Sequence, residues 1–131
     1  MSADFLDSNV LLYLASDDES KAAVVENLLA QAPVISAQVL NEVTNVLRRK
    51  MHYDWLAIDR FITRIVLLTK VLPLSEDTNR SARSLAERYG FAVYDAVIVA
   101  SALEGGCTRL MTEDMHHGQK IGDLTITNPF R

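Results

Sequence analysis

Four carboxylates stand out in this sequence because of where they lie relative to its apolar segments. Asp7 directly follows a short apolar strand, and Asp114 lies just past another. Asp95 precedes a long apolar helix, and Glu42 lies on a helix that follows a third apolar segment. Carboxylate oxygens are the ligands that hard divalent ions prefer. If the four meet, they predict metal-assisted hydrolysis of a phosphate ester.

Glu42 is the most informative of these acids because of its place on a helix. Its neighbours three before and four after are Val39 and Val46, which puts the carboxylate at the margin of the apolar stripe. A half-buried carboxylate needs a cation, since leaving the charge unpaired is costly. Mg²⁺ or Mn²⁺ fits better than zinc, because the three histidines lack helical ligand spacing and the single thiol, Cys107, lies in a strand.

The elements that must position these acids alternate along the chain between short strands and helices. Apolar strands are predicted at residues 5–6, 33–36, 70–74, 107–112 and 124–126, with helical spacing of apolar residues between most of them. Few hairpin signals separate them, so the pattern predicts an α/β fold with a mainly parallel sheet of about five strands and helices on both faces. In such a sheet, the strand ends that lead into helices share one edge, where ligand sites gather.

Composition and charge narrow the class of protein. The chain has 131 residues, 49% of them hydrophobic and 23% charged, which predicts a single domain over residues 1–131. A net charge of −4 argues against indiscriminate binding to nucleic acid. One cysteine, no basic N-terminal region in residues 1–4 and no long apolar segment favour a cytoplasmic protein that is neither secreted nor membrane-inserted.

The four acids also lie in recognisable short motifs. They stand within Phe5-Leu6-Asp7-Ser8-Asn9, Ser36-Ala37-Gln38-Val39-Leu40-Asn41-Glu42-Val43, Tyr94-Asp95-Ala96 and Thr112-Glu113-Asp114. In order, spacing and total length these motifs resemble PIN-domain ribonucleases, specifically the single-domain toxins of VapBC-type toxin–antitoxin pairs. The resemblance covers essentially the whole chain and implies a PIN-like, three-layer α/β/α fold.

The resemblance also implies roles for individual residues. The implied metal-binding and catalytic acids, with the polar side chains that support them, are Asp7, Glu42, Asp95 and Asp114, with Ser8, Asn9 and Thr112. Asp7 and Asp95 would be the firmest ligands, and Glu42 a ligand or a water-mediated partner. Asp114 would be a ligand or would orient the attacking water. The implied activity is Mg²⁺- or Mn²⁺-dependent endonucleolytic cleavage of single-stranded or structured RNA. The implied partners are a second copy of the chain, in a homodimer, and a small antitoxin whose tail enters the acidic groove.

One departure from the family pattern bears on the number of metals. Many relatives carry a further acid shortly after the last motif, where this chain has Met115-His116-His117. Three alternatives therefore stay open: one metal ion, a second ion that binds only with RNA, and a pair of ions already bound without RNA.

Simpler structural roles compete with these assignments. Taken singly, Asp7 and Asp95 are more typical of helix caps, and Asp114 of a turn ahead of Gly118. Glu113 is expected to be a solvated surface residue. Arg48-Arg49-Lys50 is more typical of a favourable helix C-terminus than of a phosphate contact.

Two groups of rings also have simpler interpretations. Adjacent His116 and His117 are expected to be merely exposed, the alternative being proton transfer or RNA binding. The aromatic residues Tyr53, Trp55 and Phe61 have helical spacing, so packing in the core or at a subunit contact is expected before base stacking.

Other function classes fit less well. A receiver-type signalling domain needs an acceptor Asp after the third strand, where this chain has Val71-Leu72-Pro73-Leu74-Ser75. A haloacid-dehalogenase-like phosphatase needs a second Asp where this chain has Asn9. The remaining alternative is a catalytically inactive PIN-fold module that binds an antitoxin-like partner or RNA without cleavage.

Overall fold

The computed structural model describes residues 3–131; Met1 and Ser2, which belong to the N-terminal region discussed above, lie outside the described residues. The strands are β1 (Asp4–Leu6), β2 (Val34–Ser36), β3 (Lys70–Leu72), β4 (Arg109–Met111), β5 (Lys120–Ile121) and β6 (Leu124–Thr127). The helices are α1 (Ser8–Leu11), which continues as a 3₁₀ helix over Leu12–Ala15, α2 (Glu19–Leu29), α3 (Ala37–Arg49), α4 (Trp55–Leu68), α5 (Glu76–Tyr89) and α6 (Val93–Glu104).

The strands form one sheet in the order β3-β2-β1-β4-β6-β5. All neighbouring pairs are parallel except β5 with β6. The chain builds outward from β1 to β2 and β3, then crosses to the other side of β1 to place β4. Ligand sites in open α/β sheets lie at such a reversal, outside the carboxyl ends of the strands. Here that position lies beyond Leu6 and Met111, which are paired across β1 and β4.

The central strands are apolar on both faces because helices cover both sides of the sheet. Phe5, Leu6, Ile35, Leu110 and Ile126 are all fully buried. The predicted apolar helix is α6, and its residues Ala96 and 98–102 are buried. The predicted α/β class with a mainly parallel sheet is thus confirmed. In residues 3–131 no helix has the length and apolar character that crossing a membrane requires.

The sheet has six strands rather than about five. The additional strand, β5, has only two residues and pairs antiparallel with β6 through a turn at Gly122, whose φ of 59° is a backbone conformation that glycine adopts readily. Two residues are too few to show an alternating pattern, so periodicity did not predict this strand.

Several predicted boundaries also shift. The strand predicted at residues 107–112 is β4 (Arg109–Met111), so Cys107 lies ahead of it. The first helix tightens into a 3₁₀ helix from Leu12. Strand β3 ends at Leu72, because Pro73 has no N–H with which to continue the ladder. Helix α6 begins at Val93, two residues before Asp95, and its N-cap residue is Ala92, which has no capping side chain. The capping role for Asp95 is therefore wrong.

Candidate metal centre at the carboxyl ends of β1 and β4

Asp7 lies at the centre of the candidate site, directly after β1. Its backbone N–H donates to the carbonyl of Met111 (3.0 Å), which holds the ends of β1 and β4 together. The carboxylate is only 4% exposed. Its Oδ1 accepts from the backbone N–H of Ser8 (2.7 Å), so Asp7 does cap α1. That bond occupies one carboxylate oxygen and leaves the second available for other contacts.

The second oxygen of Asp7 is held by two side chains from different parts of the chain. Thr112, fully buried after β4, donates its hydroxyl to Oδ2 (2.9 Å), and the Asn9 amide donates to the same atom (3.3 Å). The Asn9 amide also lies 3.1 Å from the Thr112 hydroxyl. These bonds fix the orientation of the carboxylate, since each restricts rotation about its side-chain torsions.

The loop after β4 is tied to the same cluster through its backbone. The N–H of Glu113 donates to Asn9 Oδ1 (3.1 Å), and the N–H of Asp114 donates to the Thr112 hydroxyl (3.2 Å). Asp114 itself is exposed at the rim. The backbone of this loop is therefore positioned by the first motif of the chain, about one hundred residues away in sequence.

Glu42 reaches the cluster from α3. The carboxylate is half-buried, as its place at the margin of the apolar stripe predicts. Its Oε1 accepts from the Ser8 hydroxyl (3.3 Å), the residue next to Asp7. Helix α3 packs its apolar face against α1 and α4, so Glu42 lies on the side of the helix that borders the site.

Electrostatics link all four predicted acids. Burial, together with the negative charges of Asp95 and Asp114, raises the pKa of Asp7 to about 6, against the favourable hydrogen bonds from Thr112 and Ser8. Burial and then the charge of Asp7 raise the pKa of Glu42. Burial and then the charge of Asp114 raise the pKa of Asp95.

Each of the four carboxylates therefore lies close enough to another to repel it. Among the described residues, no cation contributes to the shifts at Asp7, Glu42 or Asp95. A buried carboxylate with like-charged neighbours and no cationic partner is a costly arrangement that a divalent ion would relieve.

The carboxylate oxygens of the site fit Mg²⁺ or Mn²⁺ if only one or two of them bind the ion directly. Within residues 3–131, no three Asp, Glu, His or Cys side chains already converge so that one ion could touch them all. Mg²⁺ commonly keeps several waters and binds through only one or two carboxylates. The all-oxygen cluster thus suits an ion bound directly by one or two acids and reached by the others through water.

A second network beside the site was not predicted from the sequence. Lys21 forms an ion pair with Glu113 (3.1 Å) and donates to the hydroxyl of Tyr13 (3.2 Å), which in turn donates to Glu113. The Lys21 ammonium also lies over the rings of Tyr13 and Phe130, 4.7 and 5.1 Å from their centroids. Glu113 is therefore not the solvated surface residue that was expected; it anchors the loop that carries Asp114.

The remaining candidates lie apart from these contacts. His116 and His117 are exposed as expected, and His117 Nδ1 accepts from the backbone of Asn128. Trp55 does not pack in the core, since it is 56% exposed with Arg48 over its ring, and a subunit contact for it stays a prediction. Tyr53 and Phe61 do pack against the core.

Comparison with known families agrees with this geometry. The family model described as PIN domain matches residues 5–120 of the chain. The chain belongs to the PIN-domain family. The matched region contains all four acids. A search of curated protein sequences gives no match.

Several solved structures share the fold over most of the chain. A toxin–antitoxin complex from Klebsiella pneumoniae matches with a TM-score of 0.75 at 23% identity, covering 98% of both chains. VapBC2 from Rickettsia felis, bound to a DNA fragment from its promoter, matches with a TM-score of 0.71 at 17% identity, covering 96% of this chain and 98% of that one. VapC20 from Mycobacterium tuberculosis is described as a toxin that cleaves the sarcin–ricin loop. It matches with a TM-score of 0.70 at 18% identity, covering 86% of this chain and 90% of that one. At these identities the likeness shows a common fold.

Proposed function

We propose that this PIN domain is a metal-dependent endoribonuclease and the toxin of a VapBC-type toxin–antitoxin pair. One observation carries the proposal: the Asp7 carboxylate is buried, and burial and the charges of Asp95 and Asp114 raise its pKa to about 6 with no cation beside it among the described residues. Isolating an acid in this way is destabilising, so a site rather than a structural need explains it best. Its place at the reversal in strand order supports the same conclusion.

The roles proposed for the residues are those that the PIN-domain resemblance implies. Asp7 and Asp95 would hold Mg²⁺ or Mn²⁺, with Glu42 and Asp114 as further ligands or water-mediated partners. The bound ion supplies stabilisation of the charge on the phosphate oxygens and a more acidic water. Asp114 is exposed at the rim, and it would bind the ion or orient the attacking water.

Ser8, Asn9 and Thr112 would act by positioning rather than by touching substrate. Thr112 and Asn9 hold one oxygen of Asp7, and the Ser8 hydroxyl contacts Glu42. Fixing both carboxylates before the ion binds reduces the entropy lost on binding.

The proposed partners rest on the relatives. Several structures with the same fold are toxin–antitoxin complexes, which supports a small antitoxin as the partner of this chain. RNA as the substrate, a homodimer and a cytoplasmic location belong to the same proposal. The mass of the purified chain in solution tests the homodimer: a monomeric mass at micromolar concentration would contradict it.

The alternative is a PIN-fold module that has lost cleavage and only binds a partner or RNA. The hydrogen-bonded placement of Asp7 argues against it, because a protein without metal chemistry has no need to keep a buried, repelled carboxylate.

A cleavage assay separates the two. Single-stranded and structured RNAs are incubated with the chain in Mg²⁺, Mn²⁺ or EDTA, beside Asp7→Asn and Asp95→Asn. The matched control is Asp59→Asn, which changes an exposed carboxylate on α4. We expect cleavage in either metal by wild type and the control only. Equal inactivity of all folded variants, with no stabilisation by metal, would favour the binding module.

A further inference from the structure

A small groove lined by polar side chains adjoins the carboxylate cluster, and apart from Glu42 its residues have no role in the proposed function. It is lined by Gln38, Asn41, Glu42 and Asn45 from α3 and by Tyr94 at the start of α6, and its volume is about 300 Å³. The four α3 residues stand at positions i, i+3, i+4 and i+7, so they form one stripe on the helix. The groove and the metal centre share Glu42, and Tyr94 immediately precedes Asp95.

The chemistry of the lining restricts what the groove can hold. It contains three amides and one carboxylate but no lysine, arginine or histidine. A phosphate would meet the negative Glu42 without a compensating cation, so an anionic group is disfavoured. The Asn41 and Asn45 amides make no hydrogen bond within the described part of the chain, which leaves their donors and acceptors free for a neutral polar ligand.

Tyr94 adds a flat apolar surface to these amides. The residue is 65% exposed and stands in the first turn of α6, ahead of the buried residues 98–102. An exposed aromatic ring beside free amides is the combination that recognises an unpaired nucleobase, since the ring stacks on the base and the amides bind its edge. The volume lies at the lower end of small-ligand pockets, which suits one base.

We propose that this groove binds one unpaired base of the RNA substrate and so selects which phosphodiester enters the carboxylate cluster. The inference rests on the proposed ribonuclease function and adds to it a specificity site for one unpaired base. Tyr94 stacks on the base, while Asn41 and Asn45 bind its edge and the Gln38 amide donates to Glu42. The adjoining phosphodiester is then directed towards the carboxylate cluster, where the divalent ion of the proposed function would compensate its charge.

Binding and cleavage are measured separately, so that failure of the groove can be told from failure of the nuclease. Binding uses fluorescence anisotropy with labelled eight-nucleotide homopolymers of A, C and U in EDTA at low salt. Cleavage uses a random-sequence RNA in Mg²⁺, with the products sequenced. The variants are Tyr94→Ala, Tyr94→Phe and Asn45→Ala, and the controls are Trp55→Ala, another exposed aromatic, and Asn27→Ala, another exposed amide.

We expect Tyr94→Ala to weaken binding of the preferred homopolymer by about fivefold or more, and Tyr94→Phe to retain it because the ring is kept. Asn45→Ala is expected to reduce the preference among bases at one position beside the cut. Both controls should behave as wild type, and metal should raise the melting temperature of every variant equally.

Wild-type affinity and cleavage pattern in both Tyr94→Ala and Asn45→Ala would overturn the groove while leaving the nuclease intact. If wild type cleaves no RNA, the proposed function fails and the binding data decide the groove alone. RNA binding that depends on Tyr94 then supports it, and binding that is absent or indifferent to Tyr94 refutes it.

Discussion

Replacing Asp7 by asparagine should make the metal-free protein more stable at neutral pH, although it removes the central acid of the site. Burial raises the pKa of Asp7 from 3.8 to about 6. Between these two values the folded chain keeps a proton that the unfolded chain has released, so stability falls as the pH rises. Above pH 6 the cost of the buried charge is fully present.

The expected change in the free energy of unfolding follows from the raised pKa and the hydrogen bonds of Asp7. The difference between 3.8 and about 6 corresponds to about 3 kcal/mol of unfolding free energy. Asparagine removes that charge, keeps an oxygen for the Ser8 N–H, and loses the acceptor for Thr112 and Asn9. Each lost bond costs about 1 kcal/mol. We therefore expect Asp7→Asn to be more stable by about 1–2 kcal/mol at pH 7.5 in EDTA.

Urea denaturation at pH 4.5, 5.5, 6.5 and 7.5 in EDTA tests this, with Asp59→Asn as the exposed control. The free-energy difference between Asp7→Asn and wild type should grow by about 2 kcal/mol from pH 4.5 to pH 7.5, because part of the interval between 3.8 and about 6 lies below the lowest pH. Saturating Mg²⁺ should reverse the ranking at pH 7.5 by stabilising wild type. A difference that stays constant with pH, or that matches the control, would refute the assignment of a raised pKa to Asp7.

Three further predictions concern the metal, the neighbouring network and the core. Mg²⁺ at one hundred times its dissociation constant should stabilise wild type by about 2.7 kcal/mol in thermal melts, and Asp95→Asn should lose most of that stabilisation. An equal stabilisation of both proteins by Mg²⁺ would exclude Asp95 as a ligand. Lys21→Met should weaken Mg²⁺ binding in titration calorimetry, because it releases the loop after β4, whereas the exposed control Lys50→Met should not; unchanged affinity would show that the network is purely structural. Leu110→Ala, at a fully buried position, should lower the free energy of unfolding in urea by about 2–5 kcal/mol. Leu67→Ala, at a position that is 79% exposed, should change it by no more than about 0.5 kcal/mol. Similar losses in both variants would contradict the burial of β4.

The sequence alone determined the local structure of this chain and the types of residue in the candidate site. Helical spacing and short apolar segments depend on residues a few positions apart, so periodicity indicated five strands and the buried helix α6. It also indicated Glu42 at the margin of its stripe. The two-residue strand β5 was not predicted, because its pairing with β6, and not its own pattern, makes it a strand.

Only the tertiary structure decided how deeply each acid is buried and what holds it. The bond between Thr112 and Asp7 joins residues 105 positions apart, and that between Lys21 and Glu113 spans 92. Such contacts depend on which strands become neighbours in the sheet, and local periodicity does not specify that order. The raised pKa of Asp7 and the exposure of Tyr94 have the same origin, because burial is set by everything that packs around a side chain rather than by its own segment.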